Sequence, residues 1–203
     1  FVSLGFDLAF KYLNPVMILA DGVIGQMMEK VTLGPQQPRW TNEYIAEKYP
    51  WALTGKPANR KRNIATSLEL EPLEQEKVNQ KLQRKYADIC ANEVRYETLQ
   101  CEDADYVLVA YGSSARISSK VVEMAREQGI KAGLLRPVPY EPIAELSHRV
   151  KGFLSVEMSA GQMIEDVRLA VEGRAPVYHY GRMGGVIHSP DEVFGALKSK
   201  FSL

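Results

Sequence analysis

The stretch DYVLVAYGSSARI, residues 105–117, decides the fold. Tyr106–Tyr111 is a short apolar run bounded by a turn, a pattern typical of a buried strand. A glycine and two serines end that run. From Ile117 onward, apolar side chains recur at the spacing of one helix face, at Val121, Met124 and Ala125. The stretch therefore predicts a strand, a tight turn and an amphipathic helix, which together make the first βα unit of a parallel sheet.

Three further units of the same kind follow. Their predicted strands are Ala132–Leu135, Phe153–Val156 and Val177–Tyr180, and each is followed by an amphipathic segment. The last segment begins with Ser189, Pro190 and Glu192, which have the spacing of a capping box with proline in the first helical turn. Four βα units in succession predict an α/β fold, specifically a three-layer α/β/α domain with a mostly parallel sheet and helices on both faces.

The residues before this domain predict the tail of a second α/β domain. Apolar residues between positions 6 and 13 recur at helical spacing, and Asn14-Pro15 ends that helix. Residues 16–20 form an apolar run typical of a strand buried on both faces, and residues 23–31 can form another helix. Because one strand cannot form a sheet, we expect its partner strands to lie upstream of Phe1, so that the chain starts within a domain.

A connector separates the two domains. Residues 35–71 contain prolines and a glycine that break any long element, and residues 72–96 predict one long helix with an apolar stripe. The connector also contains a basic run from Lys56 to Arg62. This run could contact an acidic partner or a polyphosphate, or it could be a solvated loop.

The composition excludes several classes of function. The chain has 25 basic and 25 acidic side chains, so its formal net charge is zero and no global field favours nucleic acid or an anionic membrane. Cys90 and Cys101 are too few for an iron–sulfur cluster or a disulfide framework, and they favour a reducing, cytoplasmic setting. The three histidines, His148, His179 and His188, do not have the spacing of metal ligands and are interpreted as structural or exposed.

Candidate functional residues lie in the loops at the carboxyl ends of the predicted strands, where ligands meet open parallel sheets. These loops supply charges, polar side chains and glycines that could contact an anion, another domain or another subunit. The candidates are Gly112 and Ser113 after the first strand, Arg136 after the second, Glu157, Gly161 and Gln162 after the third, Arg182 after the fourth, and Asp21 after the upstream strand.

Several of these candidates have two interpretations. The turn at 112–114 leads into a helix N-terminus, whose free N–H groups could bind a phosphate or carboxylate, or could be capped by a serine. Glu157 ends a buried strand, so its carboxyl group could have a raised pKa and act as an acid or base, or it could pair with Arg136 or Arg182. Asp21 could cap the following helix or face a neighbouring domain. Because the sequence contains no G-x-G-x-x-G and no P-loop, a free nucleotide-binding protein is disfavoured.

Taken together, several segments resemble one family. DYVLVAYGSSARI, GIKAGLLRPVPYEP (residues 129–142) and FLSVEMSAGQMIEDV (residues 153–167) are similar to the C-terminal domain of 2-oxoacid:ferredoxin oxidoreductase α subunits, most of all the 2-oxoisovalerate (3-methyl-2-oxobutanoate) type. PVMILADGVIGQMMEKV (residues 15–31) resembles the end of that family's pyrimidine-binding domain. NEVRYE (residues 92–97) and GRMGG (residues 181–185) agree with the same subunit, so the resemblance covers nearly the whole chain.

The resemblance implies an enzyme that decarboxylates a 2-oxoacid on thiamine diphosphate, passes electrons through iron–sulfur clusters to ferredoxin and transfers the acyl group to coenzyme A. It implies that thiamine diphosphate and Mg are shared with a thiamine pyrophosphate-binding partner subunit, and that the clusters lie on other subunits. The expected partners are that subunit, an iron–sulfur subunit, a γ subunit and ferredoxin. We expect this chain to bind no cofactor and to be inactive alone, and we assign no catalytic residue, because the family's activating glutamate belongs to a part of the domain that is not in this sequence.

The resemblance also implies domain boundaries. Residues 1–50 correspond to a remnant of the pyrimidine-binding domain, residues 51–100 to a connector with the long helix, and residues 101–203 to a transketolase C-terminal-like domain. The expected role of this last domain is to organise subunit and domain contacts. The alternative is a stand-alone α/β module that binds an anion or a partner without catalysis.

Overall fold

The computed structural model describes residues 1–36, 39–53, 55–56, 58, 61–136 and 140–203. These residues form two compact units, one made of residues 1–27 and 88–203 and the other of residues 28–87. The basic run between Lys56 and Arg62 and the segment 137–139 of the second loop lie partly or wholly outside the described residues. Within the described part of the chain, no helix is both long enough and apolar enough to cross a membrane.

The first unit is built on a five-stranded sheet. Its strands are β1 (Glu97–Leu99), β2 (Tyr106–Val109), β3 (Ala132–Arg136), β4 (Gly152–Glu157) and β5 (Val177–Gly181), in the spatial order β1-β3-β2-β4-β5. Strands β3, β2, β4 and β5 are parallel, and β1 is antiparallel to β3. The mostly parallel sheet that the sequence predicts is confirmed. The short edge strand β1 was not predicted, because three exposed residues carry no hydrophobic pattern.

Helices cover both faces of this sheet. Val107 and Val109 of β2 point into a core closed by α6 (Tyr140–Ser147) and α7 (Met163–Val171). Leu108 of β2 and Leu154 of β4 point into a second core, closed by α5 (Gly112–Glu127) and α8 (Pro190–Phe201). Successive side chains of a strand point to opposite faces, so a strand covered on both sides needs an unbroken apolar run. The three-layer α/β/α architecture is confirmed.

The N-terminal segment differs from its prediction. Helix α1 (Val2–Tyr12) forms as expected, whereas α2 (Gly22–Gln26) is much shorter than the helix predicted over residues 23–31. Residues 16–20, predicted as a strand paired with strands outside this sequence, are irregular here, and Leu19 is 84% exposed, so that strand stays a prediction. A strand needs a neighbour that takes its N–H and C=O groups, and residues 16–20 pair with no strand of the described sheet.

The second unit contains the connector. Here α3 (Asn42–Lys48), which was not predicted, is capped by Thr41, whose hydroxyl accepts a hydrogen bond from the Tyr44 N–H at 3.2 Å. The ring of Trp40 packs against the rings of Tyr44 and Tyr49, with centroids 5.5 and 5.1 Å away. The predicted long helix is α4 (Pro72–Asn92). The assignment of residues 1–50, 51–100 and 101–203 to three family domains stays a prediction.

Candidate functional site

The candidate site lies where the sheet changes its direction of winding. From the central strand β2 the chain moves to β3 on one side, then returns past β2 to β4 on the other. The helices α5 and α7, which follow β2 and β4, consequently lie on opposite faces. The carboxyl ends of β2 and β4 therefore border the topological switch point, where open α/β sheets bind their ligands. Gly112 and Ser113 lie at one of these ends, and Glu157, Gly161 and Gln162 lie at the other.

A carboxylate from the N-terminal segment occupies the N-terminus of α5. Asp21 Oδ2 accepts a hydrogen bond from the Ser113 N–H at 2.8 Å, and Oδ1 accepts one from the Ser113 hydroxyl at 3.0 Å. Oδ1 also accepts a hydrogen bond from the Ile24 N–H at 2.8 Å, which caps α2. The structure therefore brings together Asp21, Gly112 and Ser113. The serine cap considered for α5 is wrong, because its N-cap residue is Tyr111, which makes no side-chain cap hydrogen bond.

The glycine of this turn makes room for the carboxylate. The φ of Gly112 is +57°, and a Cβ at this position would lie only 2.5 Å from Asp21 Oδ2. Burial alone would raise the pKa of Asp21, but the hydrogen bonds from Ile24 and Ser113 outweigh burial and hold the pKa below its ordinary value. Asp21 is therefore charged at neutral pH and neutralises the positive end of α5.

A second carboxylate occupies the N-terminus of α7. Glu157, at the end of β4, is only 2% exposed. Its oxygens accept hydrogen bonds from the N–H groups of three successive residues in the first turn of α7 and from two serine hydroxyls. The donors are Gln162 N at 2.8 Å, Met163 N and Ile164 N at 2.9 Å, Ser155 Oγ at 2.8 Å and Ser159 Oγ at 3.0 Å. The helix N–H groups that lack intrahelical acceptors are thus satisfied by one side chain.

These contacts correct both predictions about Glu157. Burial alone would raise its pKa, but the hydrogen bonds from the backbone of Gln162 and Met163 and from the two serines outweigh burial, so the pKa is lowered. A raised pKa suited to acid or base catalysis is therefore wrong. Pairing with an arginine is also wrong, because Arg136 pairs with Glu97 and Arg182 pairs with Glu192. The backbone N–H groups at the start of α7 supply the hydrogen-bond donors to Glu157 in place of an arginine.

The remaining candidates shape the loop after β4. Gly161 has a φ of +115°, and its N–H donates to the Ser159 hydroxyl at 3.2 Å. Gln162 contributes its backbone N–H to Glu157, while the residue itself is exposed. Arg136 and Arg182, the candidates after β3 and β5, are both partly exposed in their ion pairs. The side chains of Gln162, Arg136 and Arg182 do not contribute to the hydrogen bonds described for Asp21 and Glu157.

Sequence reasoning missed the contacts of Ser155 and His179 with Glu157 and the burial of His188. Ser155 could have been found, because residues two apart on a strand share one face. His179 lies opposite Ser155 in β5, and its Nε2 is 3.8 Å from Glu157 Oε1. His188 is 2% exposed, packs against Tyr180 with ring centroids 5.9 Å apart, and has its pKa lowered by burial. Neither pairing could be read from sequence, because both depend on strand register and on the path of a loop.

The described residues contain no metal-binding cluster. Across the ranges that the structure describes, no three His, Cys, Asp or Glu side chains are grouped so that they could hold a metal ion. The carboxylates of Asp21, which is half-buried, and Glu157, which is buried, are separately engaged by backbone and hydroxyl donors. These two carboxylates therefore neutralise the N-termini of α5 and α7.

Comparison with known proteins confirms the resemblance seen in the sequence. Residues 104–193 match the family described as pyruvate:ferredoxin oxidoreductase core domain II. The chain is 47% identical over 188 residues to the ketoisovalerate oxidoreductase subunit VorB of Methanothermobacter marburgensis, an alignment that covers 89% of this chain and 51% of the relative. It is 28% identical over 227 residues to the 2-oxoglutarate synthase subunit KorA of the same organism, covering 97% of this chain and 59% of that relative.

A solved structure supports the fold. The 2-oxoglutarate:ferredoxin oxidoreductase from Magnetococcus marinus, solved with 2-oxoglutarate, coenzyme A and succinyl-CoA bound, superposes with a TM-score of 0.57 at 16% identity. The match covers 74% of this chain and 30% of that one. The chain also spans about half the length of the ketoisovalerate oxidoreductase subunits it matches. Each of the two curated relatives is named as a subunit of a larger enzyme.

Proposed function

We propose that this chain, which is related to the subunits of the 2-oxoacid:ferredoxin oxidoreductases, is part of a subunit that oxidises a branched-chain 2-oxoacid, 2-oxoisovalerate, to its acyl-CoA. The observation that carries this proposal is the 47% identity to a ketoisovalerate oxidoreductase subunit, compared with 28% to a 2-oxoglutarate synthase subunit. Because the difference extends along most of the chain, it favours the branched-chain type over the 2-oxoglutarate type.

Thiamine diphosphate would supply the carbanion chemistry of this reaction, and iron–sulfur clusters would pass the electrons to ferredoxin. The described residues do not fit a thiamine diphosphate site. The helix N-termini bordering the switch point already hold Asp21 and Glu157, and no metal-binding group is present within the described ranges. We therefore place the cofactor between the remainder of the subunit and a thiamine pyrophosphate-binding partner, and the clusters on an iron–sulfur subunit; a γ subunit completes the assembly.

Within that assembly, the domain at residues 101–203 serves to organise contacts between domains and subunits. The carboxylates of Asp21 and Glu157 stabilise the switch-point edge through hydrogen bonds within the chain, which leaves the partly exposed side chains to face neighbours. Arg136, Gln162 and Arg182 are the candidates for such contacts. Both arginines are ion-paired and partly exposed, with side-chain exposures of 44% and 39%, so a carboxylate of a partner can compete for each guanidinium.

The alternative, a stand-alone anion-binding module, is less favoured. Such a module would use the free N–H groups of a helix N-terminus at the switch point. The N–H of Ser113 in α5 and the N–H groups of Met163 and Ile164 in α7 are instead donated to carboxylates of the chain itself. An added phosphate would have to displace one of these carboxylates, so this edge is not an open anion site.

The test is to purify the native complex through an affinity tag on the subunit that contains this chain. Anaerobic assays would follow reduction of a viologen dye in the presence of coenzyme A, with 2-oxoisovalerate, 2-oxoglutarate and pyruvate compared at equal concentration. We expect the highest kcat/KM for 2-oxoisovalerate. The chain of 203 residues purified alone should show no turnover with thiamine diphosphate and Mg²⁺ added.

Two outcomes would contradict the proposal. A complex that prefers 2-oxoglutarate or pyruvate would remove the branched-chain assignment, and turnover by the isolated chain would remove the assignment as part of a larger catalytic unit. The contact role is tested separately with Arg182→Ala, which should weaken co-purification of the partner subunits. Lys120→Ala, at an exposed ion pair on α5, is the matched control that should leave assembly unchanged.

A further inference from the structure

His188 is a buried histidine whose ring makes no hydrogen bond to the described chain. It lies between β5 and α8, directly before the helix cap Ser189, and is only 2% exposed. Within the part of the chain that the structure describes, neither Nδ1 nor Nε2 of the ring has a hydrogen-bond partner. The ring instead packs edge to face against Tyr180 of β5, with centroids 5.9 Å apart. Buried polar side chains are nearly always hydrogen-bonded, so this exception calls for an explanation.

Two charged side chains near the ring have opposite effects on it. The carboxylate of Glu192 in α8 favours a proton on His188, whereas the guanidinium of Arg182 disfavours one. The oxygens of Glu192 are already engaged, since one accepts a hydrogen bond from the Ser189 N–H at 2.7 Å and the other accepts one from Arg182. The carboxylate that could stabilise an imidazolium at this position is therefore committed to other donors.

These surroundings make the buried position of His188 depend on pH. Burial lowers the pKa of His188 below its ordinary value, so the ring is neutral at neutral pH. A proton taken up in the buried position would place a charge there without an acceptor, which is costly. A ring that has moved into water takes up a proton with the ordinary pKa of histidine, about 6.5. Acidification therefore favours the exposed position over the buried one.

We propose that His188 is an acid-sensitive latch, whose neutral ring holds the loop of residues 182–188 against Tyr180 and whose protonation releases that loop. The loop follows β5, at the edge where open parallel sheets meet ligands, so the two positions of the latch give this edge two shapes. The latch is closed at neutral pH and opens in mild acid, because only the open position accommodates the imidazolium. This device is independent of the proposed enzymatic function.

The first measurement is an NMR titration of the full chain with isotope-labelled histidine rings. We expect the His188 ring to titrate with a midpoint below about 6.5, the value of an unperturbed histidine. The spectrum of His188→Phe identifies its signal. A midpoint at or above that value would overturn the latch, because protonation would then favour the buried position or leave it unchanged.

The second measurement is amide hydrogen exchange of residues 182–189, which reports the release itself. The ratio of the wild-type exchange rate to that of His188→Phe cancels the intrinsic effect of pH on exchange. We expect this ratio to rise roughly five- to tenfold between pH 7.5 and pH 5.5, because opening takes up one proton. For the amides of β4 the ratio should stay constant.

The control and a second variant keep the test decisive. His148→Gln removes an exposed histidine and should retain the full pH response of the loop. A ratio that stays constant for residues 182–189, or a pH response lost equally in His148→Gln, would overturn the latch. If His188→Phe does not fold, His188→Gln takes its place in the ratio, and the ring titration of the wild-type chain needs neither variant once its signals are assigned through the backbone.

Discussion

In the folded chain, five protein donors take the place of water around the carboxylate of Glu157. Removing a carboxylate from water is costly unless its oxygens are hydrogen-bonded, and the three N–H groups at the start of α7 need an acceptor in any case. The two requirements are met by one contact. The side chain therefore fixes the end of β4 to the beginning of α7, and it does so from a buried position.

The first prediction concerns this contact. Glu157→Gln retains the shape but removes the charge and turns an NH₂ group toward N–H donors, so we expect the free energy of unfolding to fall by about 2–4 kcal/mol. Urea denaturation measures it. Glu165→Gln, at an exposed position in α7, is the control and should change stability by less than about 0.5 kcal/mol. Equal losses in the two variants would contradict the role given to Glu157.

The lowered pKa of Glu157 predicts a pH dependence. Because the pKa is lower in the folded than in the unfolded chain, its stabilisation is complete above the unfolded value, about 4.3, and is lost as the pH falls through the folded value. We expect the stability difference between wild type and Glu157→Gln to be constant from neutral pH to about pH 5 and to shrink at lower pH. Urea denaturation across this range measures it, and a difference that grows on acidification would be inconsistent with the lowered pKa.

At this scale the sequence located residues better than it identified their partners. The position of Glu157 at the end of a strand and of Ser113 at the start of a helix followed from apolar periodicity. Their hydrogen bonds did not, because Asp21 reaches Ser113 across 92 residues and the donors to Glu157 depend on how one loop turns back. Periodicity reports which face is buried, and it carries no information about contacts between distant loops.

At the scale of elements, the predicted strands and helices of residues 105–203 form because both faces of the central strands are covered. For residues 16–20 the same reasoning stays untested. An apolar run states that a segment suits a covered strand, but the strand exists only where a neighbour pairs with it, and the described sheet pairs with none of these residues. The edge strand β1 was missed for a different reason. It pairs with β3, but its three exposed residues carry no hydrophobic pattern that would predict a strand.

The end of α8 provides a prediction about packing between elements. The ring of Phe201 lies against Tyr106 and Tyr178, with centroids 4.7 and 5.1 Å away, and a Cβ at Gly152 would lie closer than van der Waals contact to this ring. We expect Gly152→Ala to cost about 1–3 kcal/mol of unfolding free energy, because the ring must move. In a Phe201→Ala background the same change should cost much less, which a double-mutant cycle measures.

The control for this cycle lies in the same helix. Gly195 of α8 has open space around its Cα, and its backbone φ is not in the left-handed region, so Gly195→Ala should be neutral or stabilise by up to about 1 kcal/mol. If Gly152→Ala costs the same with and without the Phe201 ring, the contact between β4 and the end of α8 is not the source of the strain.

At the scale of the whole molecule, residues 1–27 belong to the same compact unit as the sheet, although about 70 residues of chain separate them from its first strand. The sequence assigned them to the tail of a separate domain, which stays a prediction, and nothing in their pattern refers to α5. In the structure, contacts at Glu93 and Asp21 join them to the rest of the unit. Contacts between distant segments follow from the path of the chain, which the local sequence pattern does not determine.

The two cysteines can report how this unit opens. Cys90 is exposed, whereas Cys101 is 3% exposed and its Sγ lies 3.3 Å from the Leu134 carbonyl oxygen of β3. Burial raises the pKa of Cys101 to about 11, and only the thiolate reacts with a disulfide reagent. In the native chain we therefore expect one thiol to react at once and the other only when the sheet opens. In Cys90→Ser a single slow phase should remain, and urea should accelerate it as steeply as it accelerates global unfolding. A slow phase that is insensitive to urea would mean that the loop between β1 and β2 opens locally, while the sheet stays closed.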